Sequence, residues 1–198
     1  MMTKPMSFPD LALLTVRDPK AAAQIVLAWN VPREALWTAI ALISVIVTIL
    51  STLSNMIIPV PPPLNGIVGN PFMYCAIAAG GFIATVYAIY WTGRMLGGEG
   101  RVEDLMILLL WLQALRAVAQ VAVLIGLILA PVLASFLVLF IGVATLWVFV
   151  HFINAALRLN SLMRAVAVLF LGAVALMAVL TFLLSMIGVS AVGVPMNV

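Results

Sequence analysis

Charge is scarce in this chain: nine Lys or Arg and six Asp or Glu among 198 residues, 8% in all. Soluble domains carry roughly a quarter, so a water-soluble globule is excluded. Cys75 is the only cysteine, which rules out an intramolecular disulfide and leaves the redox compartment open. His151 is the only histidine, and no Cys, Asp or Glu stands at ligand spacing from it, so it defines no metal site. No Ser-His-Asp, Cys-His or paired-carboxylate arrangement occurs within the apolar stretches. Those absences argue against an enzyme and predict no cofactor. The net charge of +3 comes without a basic stripe to lay along phosphates, so nucleic acid is not an expected partner. The first thirty residues mix acids, bases and prolines and lack the apolar core of a signal peptide.

What the chain has in abundance is apolar sequence, 66% of residues with mean hydropathy +1.31. A spanning helix needs about 20 largely apolar residues to cross about 30 Å of hydrocarbon. Five such stretches are predicted, at about 35–58, 72–92, 105–129, 132–153 and 165–189. The predicted fold is an all-α integral membrane protein, a five-helix transmembrane bundle with short N-terminal interfacial helices. Residues 1–34 read as a cytoplasmic or interfacial amphipathic segment, 35–189 as the transmembrane domain and 190–198 as a short outer tail. Within the N-terminal segment, Phe8-Pro9-Asp10 and Asp18-Pro19 are helix-start signals, proline being tolerated in the first turn. The break at 59–71 holds five prolines, which favour an extended path, and ends in the start signal Asn70-Pro71. Gly97-Gly98-Glu99-Gly100 lacks the preceding strand and Lys-Ser/Thr ending of a phosphate loop, and reads as a flexible turn.

The breaks alternate between charged and chargeless. Lys4, Arg17, Lys20, Arg33, Arg94, Arg101, Arg158 and Arg164 all fall on one side of the predicted bundle. Positive-inside bias makes that side cytoplasmic, with the N-terminus inside and the C-terminus outside. Membrane lipids are the expected partners.

Arg116 breaks the pattern. It lies twelve residues beyond Asp104, roughly 18 Å along a helix and near the midplane, where charge costs several kcal/mol unless partnered or hydrated. Gln113 and Gln120, three residues before and four after, share its face. No span contains an acid to neutralise it. On the first span Ser44, Thr48, Ser51 and Asn55 form a hydroxyl and amide stripe, and Thr85, Tyr87, Tyr90 and Thr145 add further polar groups. The functional reading is a polar cavity receiving a headgroup or small anion at Arg116, with Gln113, Gln120, Ser44, Thr48 and Ser51 as its walls. The structural alternative is an interhelical hydrogen-bond cluster in which Ser and Thr bond their own backbones. Small residues recurring every fourth position, Ala76, Gly80, Ala84 and Ala88 on the second span and Ala122, Gly126 and Ala130 on the third, predict close helix packing.

An N-terminal amphipathic segment with Asp18-Pro19, five spans, and the glycine-containing turn through Val102-Glu103-Asp104-Leu105 into the third span together resemble the Yip family, named for eukaryotic proteins that interact with Ypt/Rab GTPases. The likeness runs over about 9–189 and is greatest to the compact prokaryotic members. It implies a polytopic membrane protein with no established reaction and no catalytic residues to transfer. The long cytosolic region of the eukaryotic members is absent, so GTPase binding is not carried across. Three functions remain open at this point. They are a non-enzymatic scaffold or assembly factor working through a membrane-protein partner or homo-oligomer, a lipid- or solute-handling protein built on Arg116, and an accessory subunit of a larger membrane complex.

Overall fold

The computed structural model describes residues 7–62 and 65–186. They form eight helices and, among the described residues, no strand: α1 (Phe8–Arg17), α2 (Pro19–Leu27), α3 (Arg33–Ile57), the single turn α4 (Asn65–Val68), α5 (Pro71–Met95), α6 (Val102–Leu129), α7 (Pro131–Leu157) and α8 (Leu162–Met186). Helices α3, α5, α6, α7 and α8 are long and apolar enough to cross a membrane. The tail from 187 onward lies outside the described residues.

Local chemistry sets the boundaries. Asp18 accepts from the Ala21 N–H at 3.0 Å and Asn70 from the Met73 N–H at 3.1 Å, each followed by proline in the first turn. Both caps satisfy a donor that the helix itself leaves unpaired. At the far end of α3 the Asn55 amide oxygen accepts from the Val60 N–H at 2.8 Å, closing the helix where the prolines begin. The extended path expected through 59–71 is interrupted there by α4. Between α7 and α8, Arg158 and Asn160 adopt left-handed backbone, φ 55° and 53°, and the Asn154 side chain accepts from Ser161 N–H.

Packing is graded along the bundle. At the charged end, α6 is buried on every side from Leu105 to Leu112, and Phe152, Ile153, Ala156 and Leu157 of α7 are wholly enclosed. A helix apolar and buried all round occupies the centre. Around it lie Val86 and Ile89 of α5, Ala165 and Val168 of α8, and Ala22, Ala23 and Val26 of α2, all at most 2% exposed. Toward the other end the helices separate: Phe136 and Phe140 of α7, Val174 and Met177 of α8 and Phe72 of α5 are exposed. Lipid tails are as apolar as these side chains, so their exposure carries no hydrophobic penalty in a bilayer.

Two sequence expectations are corrected here. The glycine-rich turn is locked against α7, because Glu99 N–H donates to Leu157 O at 3.0 Å and both Gly98 and Gly100 are buried. A Cβ on Gly100 would overlap the Ala156 carbonyl, and one on Gly93 would overlap the Leu157 side chain. The first part of the α5 small-residue ridge is not spent on packing within the chain, since Ala76 and Gly80 are exposed and nothing lies within 4 Å of a Cβ at Gly80, whereas Ala84 and Ala88 are half-buried. Ala76 and Gly80 lie in the half where α5 leaves its neighbours. On α6 the expectation fares better: Gly126 meets the Ala134 Cα and Cβ.

The two glycine positions give opposite predictions. Gly100→Ala forces overlap in a filled space and should destabilise by about 1–3 kcal/mol, lowering the thermal midpoint in mild detergent. Gly80→Ala should leave the midpoint unchanged or raise it, since alanine has the higher helix propensity. Equal effects would show that the graded packing is wrong.

Candidate functional site

Arg116 stands near the middle of α6, about 20 Å from each end of the 28-residue helix. Its side chain is exposed within the bundle, and among the described residues neither a hydrogen bond nor a salt bridge engages it. The two ion pairs that are present, Arg101–Glu103 at 3.5 Å and Arg158–Asp104 at 3.9 Å, lie at the charged end. Exposed pairs of this kind contribute little.

Arg116 opens onto a cavity of ≈ 680 Å³ between α3, α5, α6 and α7. Gln113, Gln120, Tyr74 and Thr145 supply its polar wall, while Val47 and Phe149 are among its apolar lining. A side recess of ≈ 200 Å³ between α5, α6 and α7 adds Thr85 beside Gln113 and Arg116. The packing gradient explains the location. The solid core ends at Leu112, and the first polar residues beyond it, Gln113 and Arg116, face the space where the helices separate. The Gln120 amide donates to Ser54 Oγ at 3.2 Å, tying α6 to α3 along one side of this space.

Of the six residues singled out from sequence, the fold brings Arg116, Gln113 and Gln120 together. Ser44, Thr48 and Ser51 do not line the cavity. Ser44 and Thr48 are buried, and their hydroxyls donate to the Ile40 and Ser44 carbonyls at 2.7 Å, one turn back on the same helix. Thr85 of α5 does the same, donating to Gly81 O at 2.7 Å, so these hydroxyls follow the structural alternative of bonding their own backbones. Tyr74 and Ser54 were missed. Ser54 sits one residue before the predicted stripe position Asn55, and Tyr74 was legible only as a polar-tipped aromatic near the start of α5.

The other face of α6 and α7 carries the N-terminal helices. The Trp111 indole N–H donates to Thr15 Oγ1 at 3.0 Å, and that hydroxyl donates to Leu11 O at 2.7 Å. Phe8 and Trp29 meet the Trp111 ring edge-on at 5.2 and 5.6 Å. One tryptophan, two residues before the polar cleft begins, thereby fixes α1 and the turn after α2 to the bundle. His151 lies near the charged end, its Nδ1 paired with Trp147 O at 2.9 Å. Among the described residues no group of three His, Cys, Asp or Glu could hold a metal.

A comparison with known families adds one finding: the Yip1 domain matches residues 13–184. The chain belongs to the Yip1-domain family. The matched range takes in the second half of α1, all of α2, α3, α5, α6 and α7 and nearly all of α8, so much of the N-terminal segment belongs to the Yip1 domain. No curated protein and no solved structure matches the chain. This Yip1-domain protein is a polytopic, integral membrane protein in which a charge at mid-helix has space and amides around it and, among the described residues that line that space, no acid.

Accessibility tests this geometry. With Cys75 replaced by Ser, a cysteine at position 113 should react with a charged, membrane-impermeant thiol reagent, and one at position 44 should be protected by at least about tenfold, as thiol chemistry follows exposure. Equal protection at both positions would mean that the cleft is closed to water.

Proposed function

We propose that this Yip1-domain protein is a non-enzymatic membrane-organising protein that holds an anionic, phosphate-bearing lipid headgroup at Arg116. The observation that carries the reading is an arginine near the middle of α6, without a partner among the described residues, at the wall of a headgroup-sized cavity. A guanidinium matches phosphate bidentately, and phosphate is the anion that a bilayer supplies in quantity. Gln113 and Gln120 flank the charge as amide groups able to donate to further headgroup oxygens.

The orientation follows from charge, with the compact, arginine-rich end in the cytoplasm and the open end on the outer face of a bacterial inner membrane. A second reading, assembly with a membrane-protein partner or another copy, is favoured by the exposed α5 ridge of Ala76 and Gly80. Such surfaces let helix backbones approach closely.

The test is lipid retention. Purified in mild detergent from membranes containing phosphatidylglycerol, wild-type protein should carry bound anionic lipid visible by native mass spectrometry. Arg116→Met should lose it by at least about tenfold, the scale of one charge-assisted pair, with Arg116→Lys in between. Undiminished retention by Arg116→Met would refute the assignment.

A further inference from the structure

Arg116 and Thr145 line three cavities at once. Besides the polar cleft and its recess there is a groove of ≈ 260 Å³ on the opposite face of the α6–α7 pair, roofed by α1. Ala119 and Ala122 of α6, Ala144 of α7, and Phe8, Ala12 and Val16 of α1 give it smooth apolar walls. Among the described residues, Arg116 is the one charged residue that lines it. The Thr15 hydroxyl at its edge is already spent on Trp111 and Leu11. A polar space and an apolar one therefore meet at a single cation.

We infer that the site takes an amphiphile with one chain in the groove: phosphate at Arg116, and part of one alkyl chain between α1 and the α6–α7 pair. This rests on the anion reading above and names the ligand class for it. Size agrees, because 260 Å³ accommodates on the order of nine groups of water size at about 30 Å³ each. That is a segment of one acyl chain, with no room for a second headgroup. Charge agrees as well, since Arg116 stands where the groove meets the polar cleft. Delivery agrees too. Free phosphate has no means of concentrating at the membrane, whereas a phosphate carried on a chain is already held there at high local concentration. Helix α1 then becomes a wall of the ligand site, pinned by Thr15 and Trp111.

The experiment uses full-length protein in phosphatidylcholine nanodiscs. Radiolabelled dodecyl phosphate and inorganic phosphate serve as probes, and unlabelled dodecanol as competitor. Dodecyl phosphate should bind saturably, one per chain, at least about tenfold tighter than inorganic phosphate. Ala12→Trp fills the groove from α1 and Ala119→Leu narrows it from α6. Each should weaken dodecyl phosphate by about tenfold or more while inorganic phosphate binding stays as in wild type. Ala119→Leu should do so with unchanged elution and thermal midpoint, which separates a filled groove from a misfolded chain. Arg116→Met should abolish binding of both phosphates, and dodecanol should compete weakly. If dodecyl phosphate depends on Arg116 but ignores both groove variants, the chain lies elsewhere, and this inference fails while the anion site stands. If neither phosphate depends on Arg116, the anion reading itself is lost. If native mass spectrometry finds a dimer that excludes dodecyl phosphate, the groove belongs to a second copy and the inference is overturned.

Discussion

A cation near the middle of a bilayer must be compensated, and in this chain the compensation does not come from the protein's own acids. Arg116 is the only charge placed deep within a long helix, and no carboxylate occurs in any of the five predicted spans. A fold that buried it against apolar side chains would carry a cost of several kcal/mol. The structure instead leaves a cavity beside it and lines that cavity with two glutamines from the same face. The packing of the other helices is arranged around this one requirement.

The graded bundle is how the requirement is met. Eight consecutive buried residues on α6, from Leu105 to Leu112, form the centre of a closed core at the charged end. Glycine at 93 and 100 lets α5 and the following turn press onto the end of α7, and Thr92 bridges toward the Val168 carbonyl of α8 at 3.4 Å. Beyond Leu112 that closeness is relaxed, and the space gained is where Gln113, Arg116 and Gln120 face inward. Trp111 stands at the border of the two regimes and holds α1 and the turn after α2 in place. On the proposed reading, the rigid half fixes the position of the cation and the open half admits its lipid.

The spanning character was legible because hydropathy and charge placement in a membrane chain are nearly one-dimensional signals, and the caps at Asp18 and Asn70 are local. The polar face of α6 was legible for the same reason, since helical spacing alone brings 113, 116 and 120 together. What failed to transfer was the step between helices. The α3 stripe has the right spacing, yet Ser44 and Thr48 satisfy themselves on their own backbone, an outcome that periodicity cannot distinguish from an exposed polar wall. The glycine turn read as flexible because composition reports backbone freedom, whereas its contacts with Ala156 and Leu157 depend on where α7 ends. The role of Trp111 as an anchor for α1 was invisible, because its partner Thr15 is 96 residues away in the chain.

The central claim is that a lipid phosphate, supplied by the membrane, completes Arg116. Solid-state NMR with guanidinium-labelled arginine in phosphatidylglycerol bilayers measures this directly through carbon–phosphorus dipolar coupling, with the Arg116 signal obtained by difference from Arg116→Lys. The account predicts strong coupling for the Arg116 carbon, consistent with N–H···O distances of about 2.7–2.9 Å to a phosphate oxygen. An Arg116 signal with no phosphorus coupling, while the arginines of the charged end retain theirs, would contradict it.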